Sequence, residues 1–396
     1  MMRKFAQFDI ILRVLSVVTP VCMFALIIHY LGSTFDNPIA LMFSNKDFAN
    51  YWIAGKLILA GETADLFGPQ AQYFRHMTDA FGLDYSWHNW SYPPHYLLLI
   101  WWTGYFSYGV ALWLFMVATF IPFVCATKAF AGRLDGYVIA MMAPFVVLNF
   151  WVAQNGFLTA ALALGGLSLR STRPVVAGVL IGLLTIKPQL GFLFPLLLLA
   201  ERRWTVILSA IFTTLVLIAL SIVFYGVEAW QGYFYNVLPY QSVVMQDLKG
   251  AFLLMLASVY GGLRSWGVEY SDAMMVHAVI AIPAALATIY GFYTAKSTEQ
   301  RSILLVLGTF LITPYALIYD MGMVSAAAAM IGISGGYNKS SQDPRRYLVT
   351  IAAAIPFFAI YVSGYGLPIA PLVLFALFIL VLGQSGAMGR FIDRAS

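Results

Sequence analysis

Charge is scarce in this chain: Asp, Glu, Lys and Arg make up 10% of its 396 residues, against 61% hydrophobic residues. So little polar surface cannot cover a water-soluble fold of that size, and the expected solvent is lipid. Cysteine is nearly absent as well. Cys22 and Cys125 both lie in apolar runs, which excludes a disulfide framework and a cysteine metal knuckle. There is no Asp-x-Asp, no Glu-x-Asp and no His/Cys cluster at metal-ligand spacing, so neither a dedicated metal site nor a cofactor is expected. The lack of a Gly-rich phosphate loop and of a G-x-S-x-G elbow argues against nucleotide-sugar or ATP chemistry. Long basic runs are missing too. The net charge of +5 is scattered over short loops, which speaks against a nucleic-acid partner.

What is present is a succession of apolar runs, near residues 10–31, 107–127, 137–153, 157–169, 174–187, 188–200, 204–225, 271–295, 302–315, 317–334, 347–363 and 367–387. A bilayer core about 30 Å thick takes roughly 20 apolar residues per helix. The expectation is therefore an all-α integral membrane protein, a polytopic bundle of about 12 transmembrane helices in a single domain over 1–396. The first run lacks a small-x-small cleavage pattern, so it reads as a retained anchor. With the N-terminus inside, Lys128, Arg133, Arg170, Arg173, Arg202, Arg203, Lys296, Arg301, Lys339, Arg345, Arg346, Arg390 and Arg394 all fall on the cytoplasmic side. That is the positive-inside pattern, and it puts both termini in the cytoplasm of a bacterial inner membrane.

Two stretches then lie outside, 32–95 and 226–270. The first reads as a helix over Phe48 to Ala60, a Gly-Glu-Thr turn, an amphipathic helix over Pro69 to Phe81, and the aromatic segment Trp87-His88-Asn89-Trp90-Ser91-Tyr92-Pro93-Pro94. Such helices belong at the lipid–water boundary. The runs broken at Lys187-Pro188 are short for a flat bilayer and are expected to meet inside the protein, around a cavity that satisfies the freed backbone groups.

Asp47, at the start of the first outer helix, is either a helix cap or a general base at the membrane surface. Lys187 sits between apolar runs, far from any charged loop. An ammonium there snorkels beside the Pro kink, pairs with Asp320, or meets an anion such as a lipid phosphate. Asp320 caps the next helix, pairs with Lys187, or contacts sugar or acceptor. Gln154 and Asn155 are either an ordinary Asn-Gly turn or hydrogen-bonding partners for sugar hydroxyls. Tyr92, His88 and His95 flank Pro93-Pro94; the tyrosine suits an interfacial belt, and His95 can donate to a phosphate or a sugar hydroxyl. Lys249 and Arg264 are either solvated partners of Asp247 and Glu269 or phosphate ligands.

Taken together, Asp47-Phe48-x-x-Tyr51-x-x-Ala54-Gly55 with Gly61, Tyr92-Pro93-Pro94, Gln154-Asn155-Gly156, Gly178 to Lys187-Pro188, Arg202-Arg203-Trp204, and Thr313-Pro314-Tyr315 with Asp320 resemble glycosyltransferase family 87. The family has the C-type glycosyltransferase fold. The resemblance implies inverting transfer of a hexose or pentose from a polyprenyl-phosphate donor to a glycan or glycolipid acceptor outside the cytoplasm. On that pattern Asp47 is the base and Lys187 meets the donor phosphate. From the residues themselves, Arg264 and His95 are further candidates for the donor phosphate, and Asp320, Tyr315, Gln154, Asn155, Tyr92 and Tyr51 for sugar or acceptor. Tyr315 departs from the histidine often found nearby in the family. A transporter or flippase of a lipid-linked glycan is the rival reading, but no repeated halves are visible and the candidate residues gather at one face.

Overall fold

The computed structural model describes residues 46–82, 89–247, 249–337 and 343–384. The expected span at 10–31, His88, Lys339 and both termini lie outside the described residues. Among those described, the chain is helical, and the one β feature is an isolated antiparallel bridge between Leu256 and Leu317.

The described part of the 32–95 stretch begins with α1 (Lys46–Ala60), α2 (Ala64–Phe67) and α3 (Gln70–Phe81). α1 stops at Gly61, whose φ of 76° is left-handed and natural for glycine. One face of α1, through Phe48, Tyr51, Ala54 and Leu57, is buried, while Lys56 and Ala60 are exposed. Gly55 lies against Gly104, where an added Cβ would come within 2.5 Å of the Gly104 nitrogen. A helix anticipated as lying on the membrane surface is thus keyed into the protein on one side.

A short helical run follows: a 3₁₀ turn over Pro94–Tyr96, α4 (Leu97–Ile100) and a 3₁₀ turn over Trp101–Tyr105. Then come α5 (Tyr108–Ala131), α6 (Gly136–Val152), α7 (Gly156–Leu169) and α8 (Pro174–Leu183). α9 (Pro188–Gly191), α10 (Phe194–Ala200) and α11 (Trp204–Tyr225) complete the middle of the chain. The 226–270 stretch holds α12 (Val227–Gly232), a π-turn at Tyr233–Val237, α13 (Leu238–Asp247), α14 (Gly250–Leu254) and α15 (Val259–Ser265). α16 (Tyr270–Thr294), α17 (Thr298–Ile312), α18 (Gly322–Ser334), α19 (Arg345–Gly364) and α20 (Ala370–Gln384) end the described chain.

Every anticipated apolar run that is described forms a helix, but only α5, α11, α16 and α19 are long and apolar enough to cross a membrane by themselves. The division follows burial. α11 and α16 present Leu208, Phe212, Val223, Val279 and Leu286 outward, where apolar side chains are stable only against lipid. α7 and α18 are short and almost wholly buried. Protein rather than lipid surrounds them, so bilayer thickness does not set their length. α18 is built from Gly322, Ser325 and Ala326 to Ala329, small residues that let neighbouring helices approach closely.

At one end of the bundle, Glu201 gathers three arginines, Arg170 and Arg203 from interhelical turns and Arg301 from the start of α17. Arg170 donates from Nε to Oε2 at 2.8 Å and from its terminal nitrogen to Oε1 at 3.1 Å. Arg203 and Arg301 lie at 3.5 and 3.6 Å. Burial works against ionisation of Glu201, but the Arg170 hydrogen bonds and the three positive charges outweigh it and hold the carboxyl pKa below its usual value. Helix ends separated along the sequence but grouped by charge therefore share one face.

Candidate active site

At the other end of α7, residues from five parts of the chain converge. Two breaks in helical structure make this possible. Proline lacks an N–H and drives its predecessor away from the α region. Accordingly α8 ends, a 3₁₀ turn covers Leu184–Ile186, and Lys187 adopts φ −132° and ψ 79° before Pro188 starts α9. The second break follows α17. Residues 313–317 leave the helix and are held by the Leu256–Leu317 bridge, by Ala257 N–H donating to the Ala316 carbonyl at 2.7 Å, and by the Ser258 hydroxyl donating to the Pro314 carbonyl at 2.6 Å. Leu256, Ala257 and Ser258 thus hold in place the stretch that leads through Tyr315 to Tyr319 and Asp320.

Lys187 donates to both oxygens of Asp320, at 2.7 and 3.0 Å, and both side chains are buried. The ammonium also lies 4.9 Å from the centre of the Tyr319 ring and 6.0 Å from that of Tyr92, faces that favour a cation. Of the readings open for Lys187, snorkelling is excluded by this burial. Asp320 does not cap α18 through its side chain; its carboxylate faces Lys187 and lies 3.4 Å from the donating Thr159 hydroxyl.

A second group adjoins this pair. Gln154 Oε1 accepts from the hydroxyls of Tyr51 and Tyr92, the latter at 3.1 Å, and from the Asn155 backbone N–H at 2.9 Å. The two phenol oxygens lie 2.8 Å apart, and Asn155 Nδ2 donates to the Tyr96 hydroxyl at 3.4 Å. Gln154 and Asn155 are buried rather than looped out at the surface, because Ala153 takes the left-handed conformation, φ 52°, at the end of α6 and turns the chain inward. Their side chains organise the tyrosines.

Asp47 stands in the first turn of α1, where a carboxylate suits the helix dipole. It is partly exposed, as is Tyr315, whereas Tyr51, Tyr92, Lys187 and Asp320 are buried. It lies near enough to Tyr92, Tyr315 and Tyr319 for its charge to bear on their phenols, which puts it beside the same cluster.

His95 lies alongside, stacked on Trp230 at 5.7 Å, with Nε2 3.2 Å from the Thr185 hydroxyl. That hydroxyl donates its proton to the Gly182 carbonyl at 2.6 Å, so His95 Nε2 must be the donor to it. Nδ1 is left buried without a partner. Arg264 stands apart in its contacts: its guanidinium donates to the carbonyls of Val268 and Gln246 at 3.0 and 2.6 Å, which ties α13 to α15.

The geometry therefore brings together Asp47, Tyr51, Tyr92, Gln154, Asn155, Lys187, Tyr315 and Asp320, with His95 on the flank. Sequence reasoning missed Tyr96, Thr159, Thr185, Tyr319 and Trp230. Tyr319 alone carried a signal, standing beside the unusual acid Asp320. The sequence profile of glycosyltransferase family 87 matches residues 90–314, a span that includes the Tyr92–Pro94 segment, the Gln154–Asn155 turn and the Lys187–Pro188 break. The chain belongs to glycosyltransferase family 87. No curated protein and no solved structure matches it. The apolar helices and the family together make it a membrane glycosyltransferase. Asp47, Tyr315 and Asp320 lie outside the matched residues, and geometry alone groups them with the candidate site.

Gly156 offers a local test of how the site is held. A Cβ there would overlap the Tyr319 carbonyl oxygen and come within 2.8 Å of Asn149 Oδ1. Gly156→Ala is therefore expected to push the Tyr319–Asp320 turn from α7, lowering stability by about 1–3 kcal/mol and reducing activity. Thermal unfolding of the detergent-solubilised protein checks the first effect; unchanged unfolding would show that the turn yields freely.

Proposed function

We propose that this transferase moves a sugar from a polyprenyl-phosphate carrier to a glycan or glycolipid acceptor at the non-cytoplasmic face of a bacterial inner membrane, inverting the anomeric centre. The observation that carries the reading is one partly exposed carboxylate, Asp47, beside a buried aromatic cluster that contains the Lys187–Asp320 pair. Asp47 takes the proton of the acceptor hydroxyl as that oxygen attacks the anomeric carbon opposite the phosphate. The polyprenyl phosphate leaves toward Lys187, whose ammonium meets its developing charge, with His95 on the flank. Tyr51, Tyr92, Tyr315 and Tyr319 form the walls against which the sugar lies.

The orientation is supported by α7, which has the site at its Gly156 end and the Arg170–Glu201 cluster at the other. Fourteen residues of helix separate the two by about 20 Å. If the arginine-rich end is cytoplasmic, the site faces outward, where nucleotide sugars are absent and lipid-linked ones are at hand.

The test is to supply purified protein with membrane glycolipid acceptors and with radiolabelled sugars carried either on polyprenyl phosphate or on nucleotides. Label is expected in product only from the lipid donors. Transfer from a nucleotide sugar, with none from lipid donors, would overturn the proposal.

A further inference from the structure

The first outer segment contains a group of side chains that the proposed transfer does not use. Glu62, Asp65 and His76 each place one ligand atom within 4.8 Å of the other two. They come from separate pieces of structure. The left-handed Gly61 reverses the chain after α1, so that Glu62 N–H returns to the Leu57 carbonyl at 2.8 Å. The next turn, with Asp65 N–H on the Glu62 carbonyl at 3.0 Å, brings Asp65 beneath it. His76 arrives from the middle of α3, its Nε2 2.7 Å from Asp65 Oδ2.

The geometry points to a divalent-metal site on Glu62, Asp65 and His76. An imidazole nitrogen with two carboxylate oxygens suits zinc or manganese better than calcium or magnesium, which prefer oxygen alone. Ligand atoms about 2.1 Å from a tetrahedral zinc stand roughly 3.4 Å apart. The Asp65–His76 contact therefore has to open by only about 0.7 Å, with the hydrogen-bonding proton between them replaced by the metal. Glu62 is exposed, so its side chain closes on the ion by changing rotamer, and water completes the coordination. The bound ion clamps the end of α1 to α2 and α3. Asp47 lies at the opposite end of α1, about 20 Å away, so the metal acts on the setting of the outer segment and not on the reacting atoms.

Calorimetric titration of zinc into EDTA-treated, full-length protein in detergent tests this without any sugar substrate. One saturable equivalent is expected, with binding at least tenfold weaker in Glu62→Gln and in His76→Ala. Zinc should raise the unfolding temperature of the wild-type protein but not of Glu62→Gln, an exposed position at which folding is preserved. Cobalt in place of zinc should give an absorption band that changes in His76→Ala, reporting the nitrogen ligand. Absence of a saturable equivalent, or wild-type zinc affinity in both variants, would overturn the site. Neither result bears on whether the protein uses a lipid-linked sugar.

Discussion

Asp47→Asn should lower kcat by about 10²–10⁴-fold, the usual contribution of a general base, while leaving the unfolding temperature nearly unchanged. The variant separates two roles that one residue can fill. Asparagine keeps a side-chain oxygen able to receive free N–H groups at a helix start, so a role limited to α1 survives the change. The helix-dipole contribution it gives up is about 0.3–1 kcal/mol. Asparagine cannot accept a proton at neutral pH, so a base is lost completely. Donor binding should persist, because Lys187 and His95 are untouched. Full turnover by Asp47→Asn would remove the residue from the chemistry and leave it a helix-terminus carboxylate.

The second large effect concerns the buried pair. Lys187→Ala or Asp320→Ala leaves one uncompensated charge in the protein interior, and each is expected to destabilise by about 3–5 kcal/mol. Replacing both together by apolar residues of similar volume, Lys187→Met with Asp320→Leu, is expected to recover most of that loss, since a buried ion pair and a well-packed apolar pair have comparable stability. The double variant should nevertheless fail to bind the lipid donor. Stability recovered without binding assigns the pair to recognition of the phosphate and its sugar. Stability and full binding recovered together would reduce the pair to a structural bond between α9 and the Ile318–Asp320 turn.

The two residues of that pair show how far sequence reasoning reaches. Lys187 was conspicuous because an isolated ammonium between apolar runs is costly, and Pro188 marked the helix break that carries it. Asp320 was conspicuous for the same reason. Pairing was one of several readings left open, and nothing local chose among them, since the partners are 133 residues apart. For Gln154 and Asn155 the local signal was misleading in a different way. Asn-Gly suggests a turn in water, but the left-handed Ala153 and the close approach of Gly156 to Tyr319 bury the turn. The pair holds Tyr51, Tyr92 and Tyr96. Arg264 looked like a mobile phosphate ligand because its charge stood in an outer segment, and the fold engages it with two carbonyls of that same segment.

Composition and periodicity by themselves determined that the chain belongs in a membrane and where its described helices run. Those properties follow from side-chain solvation and local backbone preference, both of which each residue carries with it. Only the tertiary structure decided which helices face lipid and which are encased by protein, that Lys187 meets Asp320, and that Asp47 lies beside their tyrosine cluster. It alone also gathered Glu62, Asp65 and His76, whose spacing matches no metal motif. Charge pairing and ligand geometry act over a few ångströms of space, and a folded chain brings residues that close irrespective of their distance along the sequence.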